Sequence, residues 1–297
     1  MAVLALDIGA TKFAAGVVDP HYGLHGVRRA AAASDDPWAT CRQLLVAVAG
    51  DNEVSAVGIG SAGPVDVPAG VIRPLNLAAW RDGFAIVEQV RALFPNAVVR
   101  LAIDGACLVL AEHRVGGLHG VDNGLALTVS SGVGGGIIAD GRVVVGRTGN
   151  AGHLGHIVVP GDDTACPCGG VGCVEAVASG MSSVRWARAR GWVGGSGVEL
   201  AEDARGGEPI AIAALARAGT ALGQAISSAA ALLDVDRVVI SGGFAHSGEP
   251  LWGPLRAAVA RHSRLEFIEE LSVELSTLSE GATLVGAGVL AVEAAAS

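Results

Sequence analysis

Two stretches of this chain share one pattern. Residues 3–19 read VLALDIGATKFAAGVVD, and residues 124–146 read GLALTVSSGVGGGIIADGRVVVG. Each is an apolar, β-prone run, a polar glycine-bearing turn and a second apolar run, the signature of a strand–turn–strand hairpin. The repetition constrains the fold strongly: a chain that builds one hairpin twice is expected to form two related domains facing one another across a cleft. Strands are predicted at 55–61, 70–72, 97–103, 237–240 and 272–275. Helices are predicted at 82–93, 105–114, 178–190, 209–233, 250–263 and 282–296. Pro209 stands at the start of the longest, where its missing N–H costs nothing. Strands alternating with helices give an α/β class.

Composition narrows the function. Hydrophobic residues make up 51% and charged residues 16%, so a disordered chain is excluded. Aromatics are only 4% and glycines number 44, so Ala, Val and Leu must build the core between many tight turns. The formal net charge is −9 and no Lys/Arg cluster is present, which argues against a nucleic-acid partner. Apolar runs are short and glycine-broken, so no membrane span is expected. The start, MAVLALDIG, has no basic n-region and meets Asp7 early, so a cytoplasmic location is expected. An odd count of five cysteines without an export signal argues against a disulfide framework. Cys41 and Cys107 read as small core hydrophobes.

Four motifs carry chemistry. In DIGATK, the turn Gly9, Ala10, Thr11, Lys12 offers N–H groups and a hydroxyl to phosphate oxygens, and Asp7 at the strand end could hold magnesium through water. An ordinary polar hairpin turn reads the same way. In SSGVGGG, Ser131, Gly132 and Gly134 form a second such turn; two at equivalent points of two half-chains could grip a polyphosphate group from both sides. In VVISGGF, Gly242 and Gly243 end a buried strand, which lets backbone approach a flat ligand, although a plain strand-to-turn junction looks alike. In residues 153–175, His156, Cys166, Cys168 and Cys173 lie among glycines. Three thiolates and one imidazole form the closed tetrahedral set of a structural zinc site.

These motifs, in this order, resemble the ROK family (repressors, open reading frames and sugar kinases) of the actin-like ATPase superfamily. The likeness runs over almost the whole chain, and the zinc motif GHLGH…CPCGGVGCVEA is its most specific part. DIGATK and SSGVGGG resemble the family's two phosphate loops, and SGG its adenosine motif. Repressor members carry a helix-turn-helix before the first strand; this chain starts at that strand and so resembles the kinases. The resemblance implies two actin-like (ribonuclease H-like) lobes with a cleft and a small zinc knuckle. The expected division is a small N-terminal lobe at 1–116, a large lobe at 117–281, and a last helix at about 282–297 packing back on the small lobe.

The family's Asn-Asp pair falls on Ile103 and Asp104. The resemblance makes Asp104 the base that takes a proton from the sugar hydroxyl, against its alternative as a helix N-cap. Ile103 departs from the pattern, since isoleucine makes no hydrogen bond to a sugar. Glucose-type members read Glu-x-Gly-His where this chain reads His153-Leu154-Gly155-His156, a form similar to some N-acetylmannosamine kinases. Glu175 matches a second sugar-binding glutamate; His156 matches a zinc ligand that can also face the sugar. Gly63 and Asn76 match loops lining the sugar site. Trp38 and Trp80 read as packing. The implied function is ATP-dependent phosphorylation of a hexose at its 6-hydroxyl, glucose foremost and N-acetylmannosamine or another hexosamine second. Structural zinc, magnesium and a homodimer or homotetramer are implied too, with polyphosphate as the rival donor. The rival function is a sugar-sensing binding protein without kinase activity, for which Ile103 speaks. A third reading, a zinc-binding structural module, leaves the two hairpins unused.

Overall fold

The computed structural model describes residues 1–9, 11–32, 36–278 and 281–296. Ala10 of the first turn lies outside the described residues. The chain forms two compact units: Met1–His119 with Arg142–Gly152 and Leu278–Ser297, and Gly120–Gly141 with His153–Thr277.

The first unit is built on β1 (Ala2–Ile8), β2 (Lys12–Val18), β3 (Leu24–Ala31), β4 (Val54–Ser61) and β7 (Val98–Ile103), in the order β3-β2-β1-β4-β7. The first hairpin pairs β1 and β2 antiparallel, while β4 lies parallel to β1 and β7 parallel to β4. Leu4, Leu6 and Ile8 on one face of β1 and Ala5 on the other are wholly buried, so the strand is covered on both faces. Helix α1 (Pro37–Ala49) joins β3 to β4, with its first turn capped by Asp36. A small ribbon of β5 (Val65–Asp66) and β6 (Val71–Ile72) precedes α2 (Ile86–Leu93). Helix α3 (Asp104–Val115) follows β7 without a break.

The second unit repeats the plan. β8 (Gly124–Val129) pairs antiparallel with β9 (Val133–Ala139) and parallel with β11 (Arg237–Ser241), which is parallel to β12 (Ser272–Leu275). This is the arrangement of β1 with β2, β4 and β7. The short β10 (Arg142–Val143), next after β9 in sequence, belongs to the first unit. Helices α4 (Val174–Ala178), α5 (Gly180–Arg188) and α6 (Gly197–Arg205) lead to the long α7 (Pro209–Leu233), with α8 (Glu249–His262) after β11. By length and composition α7 could cross a bilayer, but Leu215, Leu222 and Ile226 are buried where it packs on α4, α5, α6 and α8. The last helix, α9 (Ala282–Ala295), belongs to the first unit and packs on α3, β1 and β4. The approach is close: a Cβ on Gly286 would lie 1.7 Å from the Cys107 carbonyl oxygen.

Some elements depart from the sequence prediction. Helix α2 begins at Ile86, because the preceding Phe84 exchanges backbone hydrogen bonds with Ile72 at 2.9 and 3.0 Å. The helix predicted at 178–190 is α5, which starts at Gly180 because the Ser179 hydroxyl caps it by accepting the Ser182 N–H. Trp80 stacks on Phe84 (centroids 4.6 Å, 10°) and on Phe13 (6.1 Å, 8°), a packing role; Cys41 and Cys107 are fully buried.

Candidate active site

Parallel register in the first unit aligns the carboxyl ends of three strands. Ile8 faces Ser61, and Ser61 faces Ile103; one step earlier Asp7 faces Gly60, and Gly60 faces Ala102. Ligands of open α/β sheets bind outside such strand ends. Asp104 is the first residue of α3, with its Oδ1 accepting the Gly105 N–H at 2.7 Å. The N-cap position is Ile103, so Asp104 is not the cap. Burial and the charge of Asp104 raise the Asp7 carboxyl from 3.8 to about 7, against the opposing pull of Lys12. Two carboxylates therefore crowd one sheet edge. The turn above them is tight, with the Gly9 N–H donating to the Lys12 carbonyl at 3.1 Å and Thr11 and Lys12 exposed.

Other predicted residues of this unit gather nearby in sequence and bonding. The Leu75 N–H donates to the Gly63 carbonyl at 3.3 Å, so the exposed turn bearing Asn76 lies beside Gly63. Asn150 fixes the same loop: its Oδ1 accepts the Val65 N–H at 2.9 Å and its Nδ2 donates to the Val65 carbonyl at 2.6 Å. Ile103 is 3% exposed and packs in the hydrophobic core.

In the second unit β8 and β11 end side by side, with Thr128 facing Ser241. The Ser130–Gly132 turn and Gly242–Gly243 therefore meet at one edge. Gly242 adopts φ +98°, and a Cβ there would lie 2.5 Å from the Val129 carbonyl oxygen, so glycine is required. Gly134 continues into β9 opposite Thr128. Ser131 and Gly243 line a cavity of about 760 Å³. Its walls combine apolar Val184, Val198 and Phe244 with Arg185, Arg188 and Arg205; among the described residues no Asp or Glu lines it. An apolar slot with guanidinium groups suits a flat heteroaromatic base attached to phosphates.

Glu175, in the first turn of α4, joins this turn to the cysteine-rich segment. Its Oε2 accepts the Val133 N–H at 2.9 Å, and it fills the space beside Gly132. His153 and His156 lie with ring centroids 5.6 Å apart. Burial, and secondarily His156, lower the His153 pKa.

The ligand atoms of His156, Cys166, Cys168 and Cys173 all lie within 4.8 Å of one another. Cys168 Sγ is 3.8 Å from Cys173 Sγ, and Cys166 Sγ is 3.9 Å from His156 Nδ1. Tetrahedral zinc with bonds of about 2.3 Å would separate two sulfurs by about 3.8 Å, so the donor set fits. Burial, then the neighbouring thiols, push Cys173 up to about 12, whereas the Gly170 N–H, then Cys166, lower Cys168.

Three sets of residues were not legible in the motifs. The arginines of the cavity sit on α5 and α6 as ordinary helix-surface charges. Asn150 acts through bonds to Val65, far away in sequence. Arg217, on α7, reaches Asp162 in the cysteine-rich segment. Only the three-dimensional contacts reveal them.

Two α/β units of one topology, each with a glycine-bearing turn after its first strand, define a phosphoryl-transfer scaffold of the actin-like kind. The ROK family model matches residues 3–294, and the chain belongs to the ROK family. It is 30% identical to a glucokinase from Thermotoga maritima over 98% of this chain and 97% of that one. It is 31% identical to an N-acetylmannosamine kinase from Yersinia pseudotuberculosis over 97% of each. The crystal structure of a ROK glucokinase from Streptomyces griseus, in complex with glucose and AMPPNP, superposes with a TM-score of 0.85. That match has 30% identity over 99% of this chain and 100% of that one. The chain is an ATP-dependent sugar kinase of this family.

Proposed function

We propose that this kinase transfers the γ-phosphoryl group of ATP to the 6-hydroxyl of a hexose, with glucose as the leading substrate. The observation that carries the reading is the pair of Asp7, near the carboxyl end of β1, and Asp104, directly after β7 two strands away, whose charge adds to burial in raising the Asp7 carboxyl. Asp104 accepts the proton of the sugar hydroxyl as its oxygen attacks phosphorus, and ADP leaves. The base chiefly orients the nucleophile, because phosphoryl transfer depends on positioning and neutralised charge. Thr11 and Ser131 present N–H and hydroxyl groups to the phosphates. The cavity at Gly243 and Phe244 takes the adenosine. Asp7 would hold magnesium through water, and the ion would supply charge that offsets the phosphates. His156, Cys166, Cys168 and Cys173 would hold one zinc ion, which shapes the segment bearing Glu175. Glu175, His153 and His156, with Gly63 and Asn76, would contact the sugar.

A second substrate, N-acetylmannosamine, is favoured by His153 standing where glucose-type members carry glutamate. An ADP-release assay over hexoses and N-acetylhexosamines decides between them. Asp104→Asn is expected to keep sugar binding and lower turnover by roughly 10²–10⁴-fold. Near-wild-type turnover would assign the base to another group, and silence across the whole panel would remove the hexose reading.

A further inference from the structure

We propose that Arg217 is a positioning residue that holds the cysteine-rich segment in its metal-binding and sugar-facing shape. The proposal rests on the reading that His156, Cys166, Cys168 and Cys173 bind zinc.

Arg217 projects from the middle of α7, an element outside every motif. Its guanidinium reaches both sides of the segment. Nε donates to Asp162 Oδ2 at 3.0 Å, and Nη2 donates to the same oxygen and to Thr164 Oγ1 at 3.0 Å. Nη1 donates to the Val177 carbonyl at 2.7 Å, in the α4 turn after Glu175. The three cysteines and Glu175 all lie between these two anchor points. Both side chains of the ion pair are only 17% exposed, so it is better shielded than a surface pair. Burial alone would raise the Asp162 pKa, but hydrogen bonds from Thr164 and Arg217 hold it below its usual value.

The anchored end passes its geometry on. Thr164 donates both its N–H and its hydroxyl to Asp162 Oδ1. The Thr164 carbonyl accepts the Gly172 N–H at 2.9 Å, and the Gly172 carbonyl accepts the Val159 N–H at 2.8 Å. Inside that frame the Cys166 N–H donates to the Gly170 carbonyl at 2.8 Å. The loop over Cys166–Cys173 is glycine-rich and largely exposed, with little apolar burial of its own to fix it. A planar fork bonded to two arms at once supplies that constraint, and a lysine, with a single ammonium, cannot reproduce it.

The test compares wild type, Arg217→Met and Arg217→Lys as full chains. Zinc affinity is measured by competition with a chromophoric chelator, and geometry by the visible absorption of the cobalt-substituted protein. Arg217→Met should weaken zinc binding by roughly 10–100-fold, the range seen when groups supporting metal ligands are lost. It should also distort the cobalt spectrum and raise the sugar KM several-fold with kcat nearly unchanged. Arg217→Lys should recover only part of each effect. Amide exchange in chelator-treated protein separates the clamp from the metal: Val159, Cys166 and Gly172 should stay protected in wild type and lose protection in Arg217→Met. Should Arg217→Met fail to fold, Asp162→Ala with Thr164→Val removes the Asp162 and Thr164 contacts from the loop side. Unchanged zinc affinity, sugar KM and exchange in the variants overturns the proposal. A wild-type zinc content near zero would instead overturn the metal reading, leaving exchange and KM to judge the clamp.

Discussion

A single carboxyl group carries the sharpest trade-off in this molecule. Asp7 titrates at about 7 in the fold against 3.8 ordinarily, through burial and then the charge of Asp104. Because the folded value is raised, the associated stability is complete below pH 4 and is lost as pH rises through 7. In protein free of metal and nucleotide, Asp7→Asn should therefore raise Tm at pH 8 by on the order of 5 °C. The gap should close as pH falls toward 4. The same variant should lose most of its kinase activity, since the buried carboxylate is proposed to hold magnesium through water. Differential scanning at several pH values checks the first half; equal Tm values at pH 8 would refute it. Specificity is the other residue-scale question. His153→Glu should shift the kcat/KM ratio toward glucose and away from N-acetylmannosamine, because a carboxylate only accepts hydrogen bonds whereas imidazole also donates. Ile103→Asn should improve glucose kcat/KM by about tenfold if the new amide reaches the ring, one hydrogen bond being worth roughly 1 kcal/mol. Because Ile103 is buried in the core, an amide that stays there would instead cost stability and gain nothing. Asp104 was readable in the sequence as an acid directly after an apolar strand. The coupling of Glu175 to Val133 was not, because it joins two motifs that the sequence shows only separately.

At the scale of elements, close packing decides what can change. Gly286→Ala would drive a methyl into the Cys107 carbonyl oxygen, so α9 and α3 would have to separate. A loss of several kcal/mol, with Tm down by about 10 °C or more, is expected. Gly243→Ala meets nothing within 4 Å and should leave Tm unchanged. It should still raise the nucleotide KM, since Gly243 lines the cavity. Thermal melts and ATP titrations of the pair check both statements. The same packing explains what the sequence disclosed. Helix α7 was legible because Pro209 opens a long run rich in Ala and Leu. The two hairpins were legible because their turns carry glycine between β-prone runs. Strand β3 was not, since its mostly exposed residues include Arg28 and Arg29 and lack an apolar signal. Helix α4 is five residues long and hidden behind the cysteines, and α6 lies among glycines that read as loop. Their places are fixed by contacts distant in sequence.

At the scale of the whole molecule, the division into two units gives a further expectation. All four metal-ligand candidates belong to the second unit. Chelation should lower the unfolding temperature of that unit and leave the transition of the first near its original position, visible as a widening or splitting of the calorimetric trace. One zinc per chain by elemental analysis should accompany it; a chelator that leaves the trace untouched would remove the structural role. The first unit raises a different issue, one of order in time. Its strands β1 and β4 are made before the second unit, yet α9, which covers β1, β4 and α3, is made after it. The sheet that presents Asp7 and Asp104 must therefore wait, with an apolar face uncovered, while the whole second unit is synthesised. Polypeptides stalled before residue 282 should carry a folded second unit attached to an unfinished first one, and be the natural clients of chaperones that hold exposed sheets.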